Sequence, residues 1–183
     1  MPNVVLLFPG QGSQTPGMGK DLAERFPAAR EVFAAADAAV GGNPPLSELC
    51  FEGPAEELTR TLNAQPALLA HGAAVWAVVR DALAPHVVAA AGHSLGEFTA
   101  YHSADALPLA EAVQLVRRRG ELMFEAGERR PGAMAAILGN TTTPIEQICR
   151  QATEEAGLAV PANYNSPGQV VISGEVAGVE RAM

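Results

Sequence analysis

The 183-residue chain is poor in cysteine, in lysine and in charge of either sign. Cys50 and Cys149 are its two cysteines, and neither has metal-ligand or redox spacing. That excludes a disulfide framework and fits buried thiols in a reducing compartment. Lysine occurs once, as Lys20, and the net charge is −8. A general nucleic-acid binder is excluded, because its affinity would rest on neutralising phosphates with many basic side chains. The opening segment, Met1 to Phe8, has no basic start and no long apolar run. Neither a signal peptide nor a membrane span is expected, and a cytoplasmic location is the default. Repeats, low-complexity stretches and heptads are absent as well.

What is present is a globular composition: 48% hydrophobic residues in 18.9 kDa, enough for a core and for one domain, or one plus part of another. Eleven of the twelve basic residues are Arg, and five of them lie between Arg117 and Arg130. Such a run reads first as a solvated helix face.

Val4 to Phe8 is a short apolar run closed by Pro9-Gly10, which predicts a strand buried on both faces, as in a parallel sheet. A glycine-rich turn and helical sequence follow. Pro66 to Leu83 has one broad apolar face at spacings of three and four, ended by Pro85, and Val87 to Ala91 reads as a second buried strand. This order implies an α/β domain with parallel strands. From Pro108 to Ala126 a helix is expected with Glu111, Gln114, Arg118, Glu121 and Glu125 facing water. Opposite that line lie Val116, Gly120 and Met123; Ala112, Leu115, Arg119, Leu122 and Ala126 form a bordering stripe that is apolar except for Arg119. After Pro131-Gly132 the expected order is strand Ala133–Leu138, helix Pro144–Ala156, strands Val160–Tyr164 and Gln169–Ser173, then a helix from Val176. That is the opening of a split βαβ or ferredoxin-like unit, short of its last strand, which points to a fragment.

Three signals carry chemistry. Gly92-His93-Ser94-Leu95-Gly96 fits G-x-S-x-G between a strand and a helix, the context of a nucleophile elbow. A serine nucleophile needs a base, but His93 points away from its neighbour, and His71, His86 and His102 have no partner pattern. Phe8 to Gln14 is glycine-rich, yet it lacks the Lys of a phosphate loop, and Thr15 stands where a dinucleotide turn wants glycine. It is either an ordinary turn or one that aims backbone N–H groups at an oxyanion. Arg119, on the edge of a buried stripe, needs a partner. That partner is a protein carboxylate or a substrate carboxylate held by the guanidinium fork.

Together with Gly53 to Leu58, Gln65 to Leu69, Arg119-Gly120, Gly132 to Ala136 and Asn163 to Gln169, these motifs make the chain resemble the malonyl-CoA:acyl carrier protein transacylases and the acyltransferase domains of fatty acid and polyketide synthases, in family order along its whole length. The resemblance implies an α/β-hydrolase-like parallel-sheet core over residues 1–128 and the first part of an inserted ferredoxin-like subdomain over residues 129–183, both incomplete. It implies Ser94 as nucleophile, the backbone N–H groups of Gln11 and Leu95 as oxyanion hole, and Arg119 as the anchor of the malonyl carboxylate. Gln65, His93 and Asn165 are candidate pocket-lining positions. No metal or resident cofactor is implied; the coenzyme A thioester is substrate, and malonyl-CoA and acyl carrier protein are the partners, with neither nucleic acid nor membrane. The family's catalytic His lies C-terminal to the small subdomain, beyond Met183. The expectation is therefore weak activity in this chain alone, with the His supplied by a missing C-terminal segment or a second chain. Two alternatives share part of the pattern: a serine hydrolase or thioesterase-like enzyme, which needs the elbow but not Arg119, and a carrier-protein-binding module steered by the Arg117 to Arg130 run.

Overall fold

The computed structural model describes residues 2–183. Contacts divide the chain into two compact units, Met1–Phe124 and Glu125–Met183. The division falls inside one helix, where the sequence reading places a boundary after Glu128.

The first unit opens with strand β1 (Val4–Phe8), followed by helices α1 (Lys20–Arg25), α2 (Pro27–Val40), α3 (Leu46–Glu52), α4 (Ala55–Thr59) and α5 (Thr61–Leu83). A short 3-10 turn leads to strand β2 (Val87–Gly92), helix α6 (Gly96–Ser103) and helix α7 (Leu109–Arg129), which crosses into the second unit. β1 and β2 pair in parallel, with Phe8 opposite Gly92, so both strands end together and present their following turns side by side. The core lies among the helices: Phe33, Leu49, Cys50, Leu58, Leu69, Val113 and Val116 are buried, and alanines 67, 70 and 74 of α5 let neighbouring helices approach closely.

Three expectations need correction. β1 and β2 are covered on one face only; Val5, Leu7 and Val88 are 52%, 76% and 60% exposed. A two-stranded sheet has two faces, and among the described residues no helix layer covers the second. α5 begins at Thr61, five residues before Pro66, so Pro66 sits inside the helix. Proline has no N–H for the carbonyl four residues back, that of Leu62. Arg117 Nη1 donates to that Leu62 carbonyl at 3.3 Å and to Asn63 Oδ1 at 2.9 Å, which satisfies the gap from α7. Finally, the stripe on α7 is buried only at its start. Ala112, Val113, Val116 and Gly120 are buried, whereas Leu122 and Met123, beyond the last of these, are about half exposed; Leu115, on the border of the stripe, is half exposed as well.

By length and composition α5 would be apolar enough to cross a membrane. Its residues Ala64 to Ala70, with Ala73, Ala74 and Trp76, are instead buried in the core of the unit.

The second unit contains β3 (Ala133–Leu138), α8 (Ile145–Glu155), β4 (Ala159–Ser166), β5 (Gln169–Gly174) and α9 (Val176–Ala182). Its sheet is antiparallel in the order β3-β5-β4. The third strand therefore lies between the first two, the arrangement of a ferredoxin-like split βαβ unit. β4 slips register at Pro161/Asn163 and again at Tyr164/Ser166; a proline cannot donate to the ladder and marks such irregularities. Ile145, Cys149, Ala152, Ala159, Ile172, Val179 and Ala182 form its core, and the opposite sheet face exposes Met134, Leu138, Val160 and Tyr164. The fold is thus α/β, with a hydrolase-like core followed by a ferredoxin-like unit.

Candidate active site

β2 ends at Gly92 and α6 begins at Gly96, leaving His93, Ser94 and Leu95 to reverse the chain. Ser94 takes φ 54°, the left-handed region that a residue with a side chain adopts only at a cost. The turn closes through Gly96 N–H to His93 carbonyl (2.9 Å) and Glu97 N–H to Ser94 carbonyl (3.2 Å), and His93 N–H donates to Phe8 carbonyl (3.0 Å). Both glycines of the motif are steric requirements. A Cβ at Gly92 would lie 1.9 Å from Gly96 C, and one at Gly96 would lie 2.4 Å from the Phe8 carbonyl oxygen. Strand and helix can cross this closely only without side chains.

The turn after β1 is packed against the elbow. A Cβ at Gly10 would meet His93 Nδ1 at 2.5 Å. Within that turn Gly12 N–H donates to Gln14 Oε1 (2.8 Å) and Ser13 Oγ to the Gly10 carbonyl (3.1 Å). Gln11 Nε2 donates to Thr61 Oγ1 (3.3 Å), tying the turn to the start of α5. Leu95, buried, is the residue that caps α6. The N–H groups at a helix start have no intrahelical acceptor and carry the positive end of the helix dipole.

Arg119 reaches this elbow from α7. Its Nη2 donates to Ser94 Oγ at 2.9 Å and its Nη1 to Gln65 Oε1 at 2.7 Å. Gln65, on α5, is fully buried, and its Nε2 donates to Met123 Sδ at 3.3 Å. Among the described residues no carboxylate pairs with Arg119, so its positive charge is solvated by an amide and a hydroxyl and is not cancelled. Ser94, Arg119, Gln65 and the Gln11 turn thus converge within the first unit. Asn165 belongs to the second, where its Nδ2 donates to Gln169 Oε1 (3.0 Å).

Sequence reasoning missed Met123 as a member of this cluster. Its position four residues after Arg119 puts it on the same helix face, but its pairing with an amide on α5 has no signature in sequence. The other arginines of the run are engaged elsewhere: Arg117 and Arg118 with Glu121, Arg129 with Glu125, and Arg130 with Glu175. The Arg117 hydrogen bond, before the smaller contributions of Arg118, holds the Glu121 carboxyl below its ordinary range. These four arginines thus each lie within ion-pair distance of a carboxylate.

Among the described residues no three His, Cys, Asp or Glu side chains gather as a metal site. A separate cavity of about 560 Å3, lined by Phe8, Ser13, Thr15, His71, Gly72 and Thr99 among others, includes neither Ser94 nor Arg119.

Residues 5–183 match the sequence profile of the acyl transferase domain family. A malonyl CoA-acyl carrier protein transacylase of Bacillus subtilis (strain 168) is 50% identical over 183 residues, which is 100% of this chain and 56% of that protein. Among solved structures, an acyl-carrier-protein-S-malonyltransferase from Bartonella henselae superposes with a TM-score of 0.89 at 45% identity, covering 100% of this chain and 58% of that one. A type II PKS acyl-carrier protein in complex with its malonyl-transacylase gives a TM-score of 0.87 at 42% identity over 98% of this chain and 57% of that one. The chain therefore spans little more than half the length of these relatives. A strand-elbow-helix serine with an unneutralised arginine at its hydroxyl, and a match over nearly every residue, place the chain in the acyl transferase domain family.

Proposed function

We propose that these residues are the nucleophile-bearing part of a malonyltransferase that moves malonyl from coenzyme A to the phosphopantetheine thiol of an acyl carrier protein through an ester on Ser94. The observation that carries the reading is Arg119 Nη2 at 2.9 Å from Ser94 Oγ. In a malonyl thioester one methylene separates the reacting carbonyl from the free carboxylate. A guanidinium beside the nucleophile is therefore where a bidentate hold on that carboxylate would bring the carbonyl to Oγ.

Ser94 Oγ attacks the thioester carbonyl while its proton passes to a base. The oxyanion forms against the N–H groups of Leu95 and Gln11, then collapses with loss of the coenzyme A thiolate, which takes up a proton. The carrier thiol repeats the sequence on the ester. Arg119 itself is a donor that cannot accept the serine proton; by the family resemblance the base is a His carried by polypeptide outside these residues. The coenzyme A thioester is substrate, no bound cofactor enters any step, and the location is cytoplasmic, in keeping with free, buried Cys50 and Cys149.

The test is intact-mass measurement after incubation with malonyl-CoA. A single malonyl adduct is expected that is absent in Ser94→Ala and passes to carrier protein when this is added. Without its base the chain should acylate on the order of 10^6-fold more slowly than a complete enzyme. An adduct that persists in Ser94→Ala, or release of free malonate in place of transfer, would overturn the reading.

A further inference from the structure

We infer that Gln65 is a positioning residue that fixes the direction of the Arg119 guanidinium and preserves its charge, and through both sets the preference of the Ser94 site for acyl groups ending in a carboxylate. The inference rests on the roles of Ser94 and Arg119 proposed above.

Gln65 is buried completely, yet both ends of its amide are engaged with α7. Oε1 accepts from Arg119 Nη1 at 2.7 Å, and Nε2 donates to Met123 Sδ at 3.3 Å. A thioether sulfur only accepts, and a guanidinium only donates. The amide therefore has one orientation that works; reversed, its NH2 would face the guanidinium and its oxygen the sulfur. Arg119 and Met123 are four residues apart on one helix, so a single buried amide reads two successive turns of α7 at once. The register of the two helices at this point is held nearby by Arg117, which donates to the Leu62 carbonyl and to Asn63 Oδ1.

The chemistry of the acceptor matters as much as its place. An amide oxygen gives Nη1 a charge-assisted hydrogen bond and leaves the guanidinium a full cation. A carboxylate at the same position would hold Arg119 just as firmly but cancel the charge that an incoming carboxylate needs. With Nη1 held, Nη2 is directed at Ser94 Oγ, the place where the acyl group is delivered.

The experiment compares Ser94 acylation by malonyl-CoA and by acetyl-CoA, read by intact mass, in the unmodified chain, Gln65→Glu, Gln65→Met and Met123→Leu. Nitrogen-15 spectra of the Arg119 guanidinium are recorded in parallel. Gln65→Glu is near-isosteric and should lower the malonyl-to-acetyl ratio by about tenfold or more, the scale of one charge-assisted hydrogen bond. Met123→Leu should lower it less, because the amide keeps its place but not its single orientation. In Gln65→Met the resolved Nη protons of Arg119 should merge as the guanidinium rotates freely. An unchanged ratio with both rates lowered together, or Arg119 resonances unaltered in Gln65→Met, would reduce Gln65 to a filler of the core and overturn the inference. If an adduct forms but persists in Ser94→Ala while the Arg119 resonances respond as described, the nucleophile assignment fails and the guanidinium clamp is supported.

Discussion

Gly96 shows how little freedom the elbow has. The carbonyl oxygens of Phe8 and Pro9 would lie 2.4 Å and 2.7 Å from any Cβ placed there. These are backbone atoms of a paired strand and cannot step aside as a side chain would. Gly96→Ala should destabilise the fold by at least about 3 kcal/mol, the upper range of overpacking, measured by urea unfolding. Loss below 1 kcal/mol would show that the strand end yields. His71 gives a second prediction. It lines the separate cavity, its Nδ1 is buried without a partner, and burial pushes its pKa below the ordinary 6.5, opposed more weakly by Asp21. Because the folded state binds this proton less readily than the unfolded state, the stability due to neutral His71 is complete above pH 6.5. It is lost as pH falls from there toward the lowered folded value. Melting temperature should drop over that window, and His71→Gln should flatten the drop. An identical pH profile in the variant would refute the assignment.

Among the helices, α5 and α7 are the pair whose packing the sequence misrepresented. The sequence reading begins this helix at Pro66, where its apolar face at spacings of three and four sets in. The helix begins earlier because Arg117, from another element, occupies the carbonyl that proline leaves open. Arg117→Ala should therefore cost about 0.5–1.5 kcal/mol, the net worth of a hydrogen bond whose half-buried acceptor water can still reach. In a Pro66→Ala background, where residue 66 regains an N–H for Leu62, the same change should cost less. Equal costs in the two backgrounds, read from a double-mutant cycle of denaturation midpoints, would mean that the two residues are uncoupled. The helical periods of α7 were legible, including the exposed line of Glu111, Gln114, Arg118 and Glu125. The extent of its buried face was not, because that depends on how far the core reaches along the helix.

At the scale of the whole molecule, each unit leaves apolar side chains exposed on one sheet face. Val5, Leu7 and Val88 stand on an uncovered sheet face in the first unit, and Met134, Leu138, Val160 and Tyr164 on one in the second. Faces of this kind drive association. Sedimentation velocity of the isolated chain should show concentration-dependent oligomers, reduced in Leu7→Lys/Val88→Lys. A monomer at all concentrations in the unmodified chain would contradict this.

The sequence by itself determined the strand-elbow-helix unit, because Gly92, Ser94 and Gly96 are needed locally by a turn whose sterics involve only near neighbours and the end of β1. It also determined the order of elements in the second unit and the strand-helix-strand outline of the first, because hydrophobic period and turn residues are local properties. It left two partners open for Arg119, and only the tertiary structure decided that the guanidinium sits between Gln65 and Ser94 with its charge intact. The uncovered faces of the two sheets were likewise beyond the sequence. An apolar strand reads the same whether one face or both are packed, and burial is settled only by which other elements are there to lie on it.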